Sequence, residues 1–144
     1  MISFKRFALA AVVAVFGTTL VYASPAQALP LCTHYKAVTA SDDASKKTWV
    51  PATSGGDTSC TLYEGVYNNM AVETLQSALV ECYAMNITVD GDFGPATKSA
   101  LKQVQSMIGV TSDGQYGVYT RDRIRHQPYT YGDICHKYNG PGGY

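Results

Sequence analysis

The sequence predicts a small, mainly α domain, a three-helix bundle with an irregular N-terminal arm tied down by disulfides. Three observations support this class. The motif Asp-Gly-x-aromatic-Gly-x-x-Thr occurs twice, at Asp90–Thr97 and Asp113–Thr120, and the copies start 23 residues apart. Apolar residues recur at helical spacing before the first copy and between the two copies. The four cysteines are an even number in a short chain, which is typical of a disulfide framework.

Residues 1–28 are predicted to be a secretory signal peptide and to lie outside the fold. Lys5 and Arg6 form a basic start, Phe7–Val21 is an apolar run, and Ala26–Ala28 is a small-x-small cleavage site. The apolar run is short for a membrane span, so a retained anchor is the weaker alternative. Cleavage after the last alanine would leave residues 29–144, one domain of 116 residues.

The charge balance of the mature chain argues against nucleic-acid binding. Loss of Lys5 and Arg6 would leave nine of the eleven basic residues against eleven acidic ones, a net charge of −2. No long basic run is present to neutralise phosphates. We therefore expect no nucleic-acid partner, no membrane contact after signal cleavage, and a monomer.

The cysteines are Cys32, Cys60, Cys82 and Cys135. Sequence alone allows three pairings. We predict Cys32–Cys60 and Cys82–Cys135, because each of these bonds closes one structural unit. No Cys-x-x-Cys pair is present, so zinc is not expected.

The irregular arm is expected over residues 29–58. His34–Thr39 and Thr48–Val50 are two short candidate strands that could pair as a hairpin. Polar, turn-like residues lie between and after them. Trp49, the only tryptophan, is expected to pin the arm to the domain rather than to bind a ligand.

Three helices follow from the periodicity and from the residues that start and stop them. The first is predicted over Ala71–Cys82, with Asn68 or Asn69 as its cap. The second is predicted over Pro95–Ile108, with Gly109 to end it. The third is predicted over Val118–Arg125, since Pro128 prevents a longer one. The buried stripe of the second helix is expected to comprise Ala96, Ala100, Leu101, Val104 and Ile108.

Each motif copy is predicted to be a turn that leads into a helix. Glycine adopts positive φ without steric cost, and aspartate can bond its own backbone. The aromatic residue of each copy can plug the loop into the core. The residues assigned to these structural turns are Asp90, Gly91, Gly94, Asp113, Gly114 and Gly117.

The segment from Cys60 to Ile124 resembles the three-helix peptidoglycan-binding domain of bacterial wall hydrolases, the type with duplicated DGxFG and DGxYG turns. The match carries Val72, Leu75, Gln76 and Leu79, then Val89–Thr97, then Ala100, Leu101, Val104 and Gln105, then Asp113–Thr120. The cysteines resemble a disulfide-stapled variant of secreted actinobacterial proteins. The resemblance implies a domain over 59–127 followed by a Tyr/Gly-rich tail over 128–144.

The resemblance implies a secreted, extracellular or wall-associated protein that binds peptidoglycan without catalysis and needs no cofactor. The candidate ligand-binding residues are Asp92, Phe93, Thr97, Gln115, Tyr116, Tyr119, Thr120 and Arg121. No catalytic or metal-binding residues are assigned, because His34, His126 and His136 are scattered and are expected to be exposed. Two alternatives stay open: an exported protein-interaction or inhibitory module that keeps the fold without wall binding, and a cryptic wall hydrolase.

Overall fold

The computed structural model of the protein describes residues 28–141 and 143, so the predicted signal peptide lies outside the described residues except for its last residue. The helices are α1 (Met70–Tyr83), α2 (Pro95–Ile108) and α3 (Val118–Arg123). The strands are β1 (His34–Thr39), β2 (Lys47–Ala52), β3 (Arg125–His126) and β4 (His136–Lys137). Within the described residues, no helix is both long enough and apolar enough to cross a membrane.

The two long helices begin and end where local chemistry favours it. Asn69 caps α1, since its side-chain oxygen accepts the N–H groups of Ala71 at 2.8 Å and Val72 at 3.2 Å. This helix extends one residue beyond its predicted range at each end. The bounds of α2 are those predicted: Pro95 lies in its first turn, and Gly109 ends it with φ 72°.

The third helix is shorter than predicted and ends at Arg123. Ile124 is extended, and the next two residues form β3, which pairs antiparallel with β4. Pro128, from which the end of the helix was predicted, limits only how far α3 could extend. The helix ends earlier because the residues that follow it form β3 and pair with β4.

The N-terminal arm is a regular β-hairpin, which corrects the expectation of an irregular arm. β1 and β2 pair antiparallel over six residues each, with Ala37 opposite Trp49. The first strand has the predicted bounds, and the second is longer than the three residues predicted. The class "mainly α" therefore describes the middle of the chain, while the described chain as a whole also contains two small sheets.

The C-terminal segment packs on this hairpin. Trp49 N–H donates to the carbonyl of Gln127 at 3.0 Å, and Tyr129 N–H donates to that of Lys47 at 3.0 Å. Both predicted disulfides are present: Cys32–Cys60 ties the arm to the helical part, and Cys82–Cys135 ties the C-terminal segment to the end of α1. The hairpin and the C-terminal segment thus form one layer that packs on α1.

The core lies between α1, α2 and the two motif loops. Its apolar members are at most 8% exposed. Ala96 was expected in the buried stripe of α2 but is exposed, and the neighbouring Thr97 faces the core instead. The core comprises Cys32, Cys60, Leu62, Val66, Ala71, Val72, Leu75, Leu79, Phe93, Ala100, Leu101, Val104, Tyr116 and Ile124.

Two histidines that were expected to be exposed are buried: His126 is 1% and His136 3% exposed. Nε2 of His126 lies 2.9 Å from the carbonyl oxygen of Arg121, so a neutral ring can donate its proton there. Burial lowers the pKa of His126 from 6.5 to about 4, and the hydrogen bond to this carbonyl offsets only part of that shift. His126 is therefore a structural histidine that folds in its neutral form.

This burial predicts a loss of stability in mild acid. The unfolded chain binds a proton at His126 below pH 6.5, but the folded chain does so only near pH 4. The free energy of unfolding should therefore fall as the pH drops from 6.5 toward 4, with a slope of up to about 1.4 kcal/mol per pH unit. Urea titrations of the wild type and of His126→Gln across this range check it. Parallel curves for the two proteins would contradict the assignment.

Candidate functional site

A buried glutamine of α1, Gln76, holds the first motif loop. Its Nε2 donates to the Asp90 carboxylate at 2.9 Å, to the Asp92 carbonyl at 3.1 Å and to the Thr97 hydroxyl at 3.0 Å. Its Oε1 accepts the N–H groups of Asp90 at 3.0 Å and Gly91 at 2.9 Å. One side chain thus satisfies hydrogen-bonding groups at both ends of the loop.

Gln105 of α2 does the same for the second motif loop. Its Nε2 donates to the Asp113 carboxylate at 3.0 Å, to the Gln115 carbonyl at 2.8 Å and to the Thr120 hydroxyl at 3.0 Å. Its Oε1 accepts the N–H of Gly114 at 2.8 Å. The repeat in the sequence therefore corresponds to a repeated hydrogen-bonded arrangement. In each copy, a glutamine on a helix bonds an Asp-Gly turn and a threonine.

The turns have the backbone that such an arrangement requires. Gly91 and Gly114 have φ of 77° and 73°, the left-handed region that favours glycine. Asp90 and Asp113 each accept the backbone N–H two residues ahead at 2.9 Å. That backbone hydrogen bond, followed by the one from Gln76, lowers the pKa of Asp90.

The aromatic residues of the two copies plug the loops into the core. Phe93 and Tyr116 are both 0% exposed. Backbone hydrogen bonds fix them further: Phe93 N–H donates to Val66 O at 2.7 Å, and Tyr116 exchanges two bonds with Leu62 at 2.8 and 2.9 Å. Burial raises the pKa of Tyr116 well above its usual value. Both loops are therefore rigid supports.

Five of the eight predicted ligand-binding residues are buried: Phe93, Thr97, Tyr116, Thr120 and Arg121 are at most 4% exposed. The two threonines bond the helix glutamines, and the arginine lies in an internal ion pair. The expectation that these five contact a ligand directly does not agree with their burial. Asp92, Gln115 and Tyr119 are exposed, and direct contact by them stays a prediction.

Gln115 and Tyr119 line a groove of about 460 Å³ between the second motif loop, the end of α2 and α3. Its charged groups are the carboxylate of Asp113 and the guanidinium of Arg123. Tyr119 is 61% exposed, so its ring is accessible at the groove edge. Asp92 lies outside the groove, and its carboxylate accepts the N–H of Asn68 at 2.9 Å. The structure thus brings the second-copy residues together without the first-copy aspartate.

Sequence reasoning missed Gln76 and Gln105 as residues that build the site. In the sequence, each of these glutamines lies next to the apolar stripe of its predicted helix. A polar amide at such a position needs buried hydrogen-bond partners, and this requirement could have identified both residues. Asp113 was assigned only to a structural turn, although it lines the groove together with Arg123.

The described residues contain no group of three or more His, Cys, Asp or Glu side chains that could hold a metal ion. The groove has one carboxylate and no histidine among its lining residues. Its lining offers hydrogen-bonding groups, one carboxylate, one guanidinium and an aromatic face.

Comparison with known proteins finds a similarity over the helical part of the chain. Residues 68–124 match the family described as "Putative peptidoglycan binding domain". The matched segment includes both helix glutamines and both motif loops. The hairpin and the C-terminal segment lie outside it.

The chain is also similar to the N-acetylmuramoyl-L-alanine amidase CwlL of Bacillus licheniformis. The two are 33% identical over 88 residues, which cover 52% of this chain and 24% of the amidase. The chain therefore matches about a quarter of that relative's length.

Proposed function

We propose that the protein is a secreted, non-catalytic module that binds bacterial cell-wall peptidoglycan in the groove beside α3. The observation that carries this is the coincidence of the groove with the peptidoglycan-binding family match over residues 68–124. The second motif loop that forms the groove wall lies inside the matched segment. Wall or extracellular localisation, a monomeric state and independence from any cofactor belong to the same proposal.

The groove offers a suitable partner for each kind of group in peptidoglycan. The Gln115 amide and the Asp113 carboxylate suit sugar hydroxyls and peptide amides. The Arg123 guanidinium suits a stem-peptide carboxylate. The exposed ring of Tyr119 can pack against the C–H face of a sugar.

The buried hydrogen bonds beneath the groove support binding by holding its wall in place before the ligand arrives. Gln105 fixes the loop that carries Gln115, and Thr120 fixes the start of α3. A preformed wall loses less conformational entropy on binding. Because a groove lined by polar groups must exchange bound water for ligand at little net gain, we expect a modest affinity, on the order of 10 μM to 1 mM.

The experiment is sedimentation of the mature protein with purified, protein-free cell walls. The double variant Gln115→Ala/Tyr119→Ala should reduce the bound fraction at least several-fold, because it removes an amide and an aromatic face from the groove. Its melting temperature should not change, since both side chains are exposed. Tyr67→Ala is the matched control, because Tyr67 and Tyr119 are each 61% exposed and Tyr67 does not line the groove.

Wild-type protein that stays in the supernatant with walls of several bacteria would overturn the proposal in favour of the interaction or inhibitory module. A wall suspension that loses turbidity on addition of the protein would instead support the hydrolase alternative. The amidase relative makes this second assay worthwhile, although it is matched over only 24% of its length.

A further inference from the structure

Three aromatic rings lie side by side on the sheet layer, away from the motif loops. Tyr35 of β1, Trp49 of β2 and Tyr129 of the C-terminal segment form a row. The ring centroids of Tyr35 and Trp49 are 5.2 Å apart, and those of Trp49 and Tyr129 are 4.9 Å apart. This row, called the aromatic row below, lies outside the family-matched residues 68–124.

The row is held rigidly by the backbone. Trp49 N–H and the Thr48 hydroxyl donate to the Gln127 carbonyl at 3.0 and 2.6 Å. Tyr129 N–H donates to Lys47 O at 3.0 Å. The rings thus stand on β1, on β2 and on the segment that is hydrogen-bonded to β2. Tyr35 and Tyr129 nevertheless expose about half of their side chains, 49% and 52%.

Two grooves meet at the aromatic row. One has about 320 Å³ and runs toward α1, and the other has about 390 Å³ and runs toward Tyr131, whose side chain is fully exposed. Trp49 and Gln127 line both grooves. The row and grooves therefore form one continuous surface with a central amide, on which the Tyr35 ring stands at 88° and the Tyr129 ring at 36° to the ring of Trp49.

The charges on this surface select its ligand. The charged residues that line the two grooves are Glu73, Glu81 and Asp133. One cation lies against the row itself: Nζ of Lys47 is 5.9 Å from the ring centroid of Tyr129, so the carboxylates outnumber it. An anionic polymer or an anionic lipid surface is therefore disfavoured. A cationic partner is weakly favoured at most, since Asp133 is paired with the Lys46 ammonium at 2.7 Å and Glu81 accepts from the Gln127 amide at 3.0 Å.

We infer that the aromatic row is a second binding site, and that its ligand is a neutral glycan. The C–H faces of sugar rings pack on exposed aromatic faces, and sugar hydroxyls donate to carboxylate and amide oxygens. Grooves on both sides of the row accommodate a chain of sugars rather than a single one. This site does not depend on the groove beside α3.

Trp49 gives a direct readout, because it is the only tryptophan of the chain and lies at the centre of the site. Titration of the mature protein with chitohexaose, and separately with cellohexaose, should change its fluorescence with saturation for at least one of these neutral probes. The double variant Tyr129→Ala/Tyr131→Ala should raise the Kd at least fivefold, and circular dichroism should show that it stays folded at the temperature of the titration. Tyr67→Ala, which removes a comparably exposed ring elsewhere (61% against 52% for Tyr129), should leave the Kd unchanged.

The variant Gln115→Ala/Tyr119→Ala should keep the full fluorescence response, which separates this site from the groove beside α3. The inference is overturned if neither probe changes the fluorescence, or if Tyr129→Ala/Tyr131→Ala has the same Kd as the wild type. It is also overturned if a lysine hexapeptide binds more tightly than either sugar.

Discussion

Replacing Arg121 with alanine is expected to destabilise the folded protein by about 3–5 kcal/mol, the usual cost of removing one partner from a buried ion pair. Arg121 and Asp122 both have side chains that are 0% exposed, and Nε of the arginine donates to the aspartate at 2.7 Å. Without the guanidinium, the Asp122 carboxylate would keep one hydrogen-bond donor among the described residues, the N–H of Gly140 at 2.9 Å. A buried carboxylate would then be nearly unpaired.

The same guanidinium connects three parts of the chain. It donates to the carbonyl of Thr58 at 3.1 Å and to the hydroxyl of Ser59 at 3.2 Å, both at the end of the arm. It also donates to the carbonyl of Pro141 near the C-terminus at 3.5 Å. The loss should therefore loosen the arm and the C-terminal segment together, not α3 alone.

Arg123→Ala is the matched control for Arg121→Ala, because it removes the same charge from the same helix at an exposed position. Its effect on the free energy of unfolding should stay within about 0.5 kcal/mol. Guanidinium titrations of the three proteins measure the difference. Equal unfolding free energies for Arg121→Ala and the wild type would mean that the ion pair is not buried in solution.

Replacing Gln105 with alanine is expected to cost about 3 kcal/mol. The change removes all the bonds by which this side chain holds the second motif loop, and each buried polar group left without a partner costs about 1–3 kcal/mol. The N–H of Gly114 is such a buried group, and the hydroxyl of Thr120 would keep only its long bond of 3.5 Å to the carbonyl of Gln115. The loop should then lose its fixed position, and binding to purified walls should weaken as well.

Gln103→Ala supplies the control for Gln105→Ala, because Gln103 is an exposed glutamine two residues earlier on the same helix. Its melting temperature should match that of the wild type, whereas Gln105→Ala should melt more than 10 °C lower. If Gln105→Ala has the same melting temperature as the wild type, the loop keeps its conformation without its glutamine. Retained wall binding by a destabilised Gln105→Ala protein would mean that the loop is not part of the binding wall.

The sequence by itself determined the elements whose causes are local. Gly109 and Pro95 set the ends of α2, and the Asp-Gly pairs set the turns, because capping and positive φ depend on neighbours along the chain. The strand His34–Thr39 and both disulfides were also predictable. The apolar spacing places the core stripe of α1, since periodicity records which side of a helix is buried.

The tertiary structure alone decided which polar groups lie inside. Arg121, Thr97 and Thr120 look like surface residues in the sequence, and the structure buries each beside a partner that is distant in the chain or hidden in a helix pattern. The shorter α3 and the burial of His126 have the same origin, the pairing of β3 with the C-terminal strand. The type of a residue determines which hydrogen bonds its side chain can donate or accept. Whether the partner is water or a protein group depends on how distant segments of the chain pack around it.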